Sequence, residues 1–434
     1  MKTNKFSSVL RLKNNALTRN TLWMFLGHGM KTILQAVYFV FIARTLGVEG
    51  FGAFVGVVAV TSIFAPFASF GTGNILVKNV ARDRTTFKES WGNALIVTIL
   101  SGFLFVVLIV AVADLFLPHN IPFLLILAVV ISDMLFARLL DVSGQAFQAF
   151  ERLGWTAQLQ VCQSFLRMAA ACSLFFFVSN PTPVQWGGLY LLCTVLTTVM
   201  GVGLVNWKLG APHMRLTVSK KDIVEGFYFS ISLSAQGVYN DIDKSILAKI
   251  ATLEATGIYA AASRIIDVVF TPIRSLLAAA YGKFFQHGSK GIQGSFQFAK
   301  KLMPAGCVYG VLSGILLYIL APVIPYVLGS DYSNAIEAIR WMAIIPLIRA
   351  LQYFAADLLT GAGFQGYRSM LQIVAAFISV VLNVILIPLY SWEGAIWSGI
   401  LANTVLGMSL WLVVWQTYSK TKLRKDIPVS SLEA

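Results

Sequence analysis

The sequence predicts an all-α integral membrane protein with twelve transmembrane helices arranged as two six-helix lobes. Three observations carry that prediction. Of 434 residues, 57% are hydrophobic and only 12% charged, about half the charge expected of a water-facing globule. Apolar stretches of about the 20 residues needed to cross hydrocarbon recur along the chain, and basic residues collect in alternate connections between them.

The spans fall at about 21 to 43, 51 to 76, 91 to 113, 122 to 149, 157 to 178 and 185 to 207 in the first half. Those of the second half lie at about 223 to 247, 255 to 280, 302 to 327, 335 to 359, 369 to 388 and 394 to 416. Residues 1–20 read as a cytoplasmic tail and not a signal peptide, because no small-residue cleavage site follows the apolar run. Residues 208–222, KLGAPHMRLTVSKKD, form a basic linker between lobes at 21–207 and 223–416, and 417–434 is a second basic tail. With both termini inside, the cytoplasmic connections hold clusters such as Lys78, Arg82, Arg84 and Lys88, and Lys208, Arg215, Lys220 and Lys221. The opposite connections hold Arg44 and Lys249. The net charge of +14 is therefore mostly a signal of topology and of contact with anionic lipids, which removes the nucleic-acid reading.

The halves echo one another. IARTLGVEGFGAF at 42–54 aligns with LAKIATLEATGIY at 247–259 at a constant offset of 205 residues, each joining the first span of its half to the second. Both run from the same side, as in parallel-repeat transporters. Four cysteines lack metal-ligand spacing, and no G-x-x-x-x-G-K-[ST] loop occurs. No metal, cofactor, ATP-driven step or enzymatic activity is expected.

Charged residues inside the spans are the candidate functional groups, since a charge at mid-depth is costly unless it faces a partner or a hydrated cavity. Lys31, Arg138, Arg167, Arg264 and Arg349 lie nearest the midpoints, against the carboxylates Asp133 and Asp267. That excess suits an anionic substrate group. Arg138 with Asp141, Asp241 with Lys244, and Arg264 with Asp267 are spaced i,i+3, as neutralising pairs on one helix face would be. Lys31, Arg167 and Arg349 have no carboxylate one turn away, so their partners are substrate or other helices. In YNDIDKS at 239–245, Asp241 and Asp243 are two residues apart and are not expected to share a face. Asp133, Asp241 and Asp267 are the candidates for coupling or gating. Pro66, Pro272 and Pro346 interrupt spans two, eight and ten, and Gly71 and Gly73 give the chain further freedom.

ARTLGVEGFGAF at 43–54 with FASFGTGNILVKNVARD at 67–83 resembles the N-terminal signature of bacterial polysaccharide-export, or O-antigen, flippases, within the multidrug, oligosaccharidyl-lipid and polysaccharide exporter superfamily. The resemblance implies a MATE-like, V-shaped fold in the bacterial inner membrane and a function by alternating access. It implies transfer of an undecaprenyl-diphosphate-linked oligosaccharide from the cytoplasmic to the periplasmic leaflet, the cationic side chains receiving the diphosphate. It further implies a monomer working beside polysaccharide polymerase or export proteins. A cation-coupled drug or metabolite antiporter of the same fold is the alternative, followed by a lipid II flippase or a membrane glycosyltransferase or ligase.

Overall fold

Proline, glycine and serine determine where the long apolar helices bend. The computed structural model describes residues 16–215, 220–289 and 291–426. Among these, nine helical stretches are long and apolar enough to span a bilayer. The first and last of the nine each fold at a non-helical residue, Gly47 (φ 67) and Ser391 (φ 53). With the more polar helix Lys220–Ile250, the count is twelve.

The helices are α1 (16–46), α2 (48–64, resuming at Thr72–Arg82), α3 (Phe87–Ala111), α4 (Phe123–Ala149), α5 (Leu153–Phe177) and α6 (Pro183–Lys208). They continue as α7 (Lys220–Ile250), α8 (Leu253–Gly288), α9 (Ile292–Leu328), α10 (Ala335–Gly361), α11 (365–390) and α12 (392–426). Where residues of the expected tails are described, they extend α1 and α12; residues 1–15 and 427–434 lie outside the described part.

The chain forms two compact units, Met1–Lys249 and Ile250–Ala434. The sequence places the division at 208–222, whereas α7 packs within the first unit. The break in α2 supplies the physical reason. Beyond Phe64 the chain leaves the helix at Pro66 and turns through left-handed residues at Phe70 (φ 45) and Gly71 (φ 60). Backbone groups freed inside a membrane need partners, and neighbouring Ser or Thr side chains commonly supply them. Here Ser234 donates to the Ile63 carbonyl at 2.7 Å and Ser230 to that of Pro66 at 3.0 Å, both from α7. Ser101 of α3 donates to the Ala68 carbonyl at 2.7 Å. The close approach of α7 also uses Gly226, where a Cβ would stand 2.2 Å from the Phe70 carbonyl oxygen.

Of the other prolines, Pro272 remains inside a continuous α8, whereas Pro346 sits in the first turn of the segment Ile345–Gly361, just after a break in α10. Around the first unit's core, Phe87 and Trp91 of α3 pack with Leu140 and Phe147 of α4 and Val205 of α6. Trp91 Nε1 donates to Asn206 Oδ1 at 2.9 Å, satisfying the polar tip of a wholly buried ring. In the second unit, small residues on α8, Ala255 and Ala260 to Ala262, and on α10, Ala355 and Ala356, are buried together with Phe270, Phe284 and Phe354. Small faces of this kind let membrane helices approach closely where no water-driven force holds them.

Candidate functional site

In the first unit the charged side chains converge on a distorted turn of α4. Residues Ser132–Phe136 form a π-helical turn, which leaves backbone groups out of register with the flanking α-helix. Such turns are frequent at functional sites. Asp133 stands on it. The Thr61 hydroxyl of α2 donates to Asp133 Oδ2 at 2.9 Å, and the Tyr190 hydroxyl of α6 donates to Oδ1 at 2.9 Å. Arg167 of α5 lays its guanidinium over the Tyr190 ring, 3.9 Å from the centroid, and donates from Nη2 to Thr194 Oγ1 at 3.0 Å. Thr194 also accepts from Ser132 at 2.9 Å. Tyr190 therefore links a cation on one side to a carboxylate on the other, and Arg167 and Asp133 interact electrostatically across it. Arg138 forms the expected ion pair with Asp141 at 3.0 Å and donates from Nε to the Asp133 carbonyl at 3.3 Å, five residues back along the distorted turn.

A second group in this unit lies on α7. Lys244 Nζ reaches Asp241 Oδ1 at 2.8 Å, as expected, but also Asp243 Oδ1 at 3.6 Å. The long lysine stem lets one ammonium reach both carboxylates although they leave the helix two residues apart. Asp241 accepts a further hydrogen bond from Ser62 of α2 at 3.1 Å. The group holds two acids and one base, and it sits close to the broken segment of α2.

The second unit has the opposite balance. Asp267 Oδ1 on α8 accepts from Arg349 Nη1 of α10 at 2.8 Å and from Arg274 Nη2, two turns along α8, at 3.1 Å. Two cations thus meet one carboxylate oxygen, and the side chains remain partly accessible: 27% for Arg349, 47% for Arg274 and 39% for Asp267. Arg349 finds its partner on another helix, as expected for a cation with no neighbouring carboxylate in its own turn. Arg274, seven residues along α8 from Asp267, is a second cationic partner of the same carboxylate. Arg264 is partly buried on α8 and Lys31 partly buried on α1.

Thr61, Tyr190 and Thr194 were not singled out by the sequence, since each is a neutral residue in an apolar run. Asp357 was not singled out either; it is buried near the end of α10 and paired with Arg368 at 3.3 Å. Arg368 also donates to Thr360 at 2.8 Å. An i,i+11 pair that crosses a helix end has no periodic signal. Among the described residues, no group of three or more His, Cys, Asp or Glu side chains stands close enough together to hold a metal ion.

Solved structures share this arrangement of twelve membrane helices. Over 92% of this chain and 96% of the other, the fold matches an inward-facing multidrug resistance MATE family transporter of the MOP superfamily, with a TM-score of 0.75 at 14% identity. A MOP superfamily transporter from Pyrococcus furiosus, noted for the reverse polarity of its binding pocket, matches over 97% and 100% of the two chains with a TM-score of 0.64 at 15% identity. The fold is MATE-like, and the protein is a multi-pass membrane protein.

The chain belongs to the polysaccharide biosynthesis protein family, whose model matches residues 17–281. It is also 22% identical over 426 residues to the "Putative O-antigen transporter" of Escherichia coli K12, covering 95% of this chain and 98% of that one.

Proposed function

We propose that the protein moves a polyprenyl-diphosphate-linked oligosaccharide from the cytoplasmic to the periplasmic leaflet by alternating access, supplying units for surface polysaccharide assembly. The observation that carries this reading is the meeting of Arg349 and Arg274 on Asp267 in the second unit. It is a partly accessible group inside the spans with more cation than anion. A diphosphate suits it because planar guanidinium groups bind phosphate oxygens with charge-assisted, directional hydrogen bonds. Family membership and the likeness to the Escherichia coli relative support the glycolipid as cargo.

The physics divides the substrate in two. Charged phosphates and sugars are expensive to desolvate in hydrocarbon, whereas the polyprenyl tail is already at home there. The protein has only to shelter the headgroup. Arg264 on the same helix and Lys31, Arg138 and Arg167 in the first unit are assigned to the electropositive path, and Asp133, Asp241 and Asp267 to coupling or gating.

A cation-coupled antiporter is the second reading. It is favoured by the multidrug transporters among the similar folds and by the carboxylate of Asp133 held inside the first unit. One experiment separates the two: proteoliposomes are loaded with defined polyprenyl-diphosphate glycans in one arm and cationic dyes in the other. The flippase reading requires leaflet transfer of the glycans and no dye movement under an imposed proton or sodium gradient. Gradient-driven dye exchange without glycan transfer would establish the antiporter instead.

A further inference from the structure

Where α9 ends and α10 begins, the second unit has an open cleft of about 510 Å³, lined by Tyr318, Ser333, Asn334, Glu337, Arg340 and Trp341. Its size falls in the range of about 300–1,000 Å³ typical of small-molecule sites. The cleft belongs to neither charge cluster described above. Arg340 extends over the Tyr318 ring with its guanidinium carbon 5.1 Å from the centroid. One turn back on the same helix, Glu337 accepts from Trp341 Nε1 at 3.4 Å, and Trp341 packs on Trp397 of α12 with centroids 5.0 Å apart. Aromatic walls thus hold one cation and one anion side by side.

The surroundings indicate what fills it. From Tyr318 toward the middle of the bilayer, α9 exposes Ile315 and Val311, and from Trp397 α12 exposes Leu401, Val405 and Met408. These are successive turns of single helix faces, spaced three or four residues apart. Two apolar tracks therefore lead into hydrocarbon from a polar, aromatic cleft at the level where Tyr and Trp form interfacial belts. A soluble ligand would leave those tracks unused.

We propose that this cleft binds the headgroup of a zwitterionic phospholipid. Arg340, assisted by the Asn334 amide, takes the phosphate; Glu337 and the Trp341 face take the ammonium, using ion pairing and cation–π attraction. The acyl chains lie along the α9 and α12 tracks. Because Glu337 offsets Arg340, the cleft selects against a purely anionic headgroup, which would bring its negative charge beside a carboxylate without an ammonium to offset it.

The test is native mass spectrometry of the purified full chain in delipidated detergent. Phosphatidylethanolamine, phosphatidylglycerol and a soluble oligosaccharide are added separately to the wild type, Arg340→Gln and Glu337→Gln. Equal thermal midpoints without lipid establish that the variants are folded, as substitutions at exposed positions should leave them. Wild type is expected to retain phosphatidylethanolamine at least 5-fold more than phosphatidylglycerol. Arg340→Gln should lower phosphatidylethanolamine retention about 10-fold, and Glu337→Gln should reverse the preference toward phosphatidylglycerol. Equal retention of the two lipids by wild type, a preference unchanged in both variants, or saturable retention of the oligosaccharide lost in Arg340→Gln would each overturn the assignment.

Discussion

Replacing Arg167 by Met removes the cation from the first unit's buried cluster while keeping a stem of similar length. The consequence can be worked from the geometry. The guanidinium lies 3.9 Å above the centre of the Tyr190 ring, whose hydroxyl is 2.9 Å from Asp133 Oδ1. With cation and carboxylate about 7 Å apart across that ring, their attraction at an effective dielectric of about 20 is about 2 kcal/mol. Leaving the carboxylate uncompensated in the interior adds to the loss, and removal of one partner from a buried pair costs about 3–5 kcal/mol. In a unit of this size each kcal/mol moves the thermal midpoint by about 2–4 °C, so Arg167→Met should melt roughly 10 °C below wild type. Asp133→Asn keeps an amide oxygen to accept from Thr61 or Tyr190 but leaves Arg167 without its counter-charge, so it too should cost about 3–5 kcal/mol. In the double variant about 2 kcal/mol of the combined loss should return. The assay is thermal unfolding of the detergent-purified protein across the four-member cycle. Losses that add to within about 0.5 kcal/mol would show the two charges to be independent and would refute the linkage through Tyr190.

Three further outcomes are expected. Ser230→Ala with Ser234→Ala leaves the carbonyls at the α2 break without their α7 partners and should cost about 1–3 kcal/mol in all, read as a lowered thermal midpoint. An unchanged midpoint would mean that other groups satisfy Ile63 and Pro66. Tyr190→Phe removes the hydrogen bond to Asp133 but keeps the ring under Arg167, so it should destabilise by about 1–2 kcal/mol, less than Arg167→Met; the reverse order would place the weight of the cluster elsewhere. Asp267→Asn removes the carboxylate that Arg349 and Arg274 share, and binding of inorganic pyrophosphate to the purified protein should strengthen about 5-fold. Weaker binding would mean that Asp267 positions the arginines and does not compete with the anion.

Much of this architecture could be read in the sequence because the bilayer enforces a simple length rule. Span number, the break at Pro66 and the turn at Gly71 all have local signals: an apolar run, a missing N–H and a residue free to adopt positive φ. The membership of α7 in the first unit has none, since it depends on which serines reach which freed carbonyls. The charges were legible one at a time, but their partners were legible only within a turn. Arg138 with Asp141 and Lys244 with Asp241 follow from i,i+3 spacing, whereas Arg349 with Asp267 joins residues 82 apart. Neutral members such as Tyr190 and Thr61 are invisible in the sequence, because a hydroxyl in an apolar helix looks the same whether it bonds its own backbone or a distant carboxylate.

The most direct measurement of the proposed function is the initial rate of leaflet transfer of a defined polyprenyl-diphosphate oligosaccharide in proteoliposomes, comparing wild type with Arg349→Gln and Arg349→Lys at matched insertion, orientation and thermal midpoint. The account predicts that Arg349→Gln lowers the rate at least 10-fold and that Arg349→Lys, which keeps the charge but not the planar fork, restores part of it. Wild-type transfer in Arg349→Gln would contradict the assignment of the α8 and α10 arginines to the diphosphate.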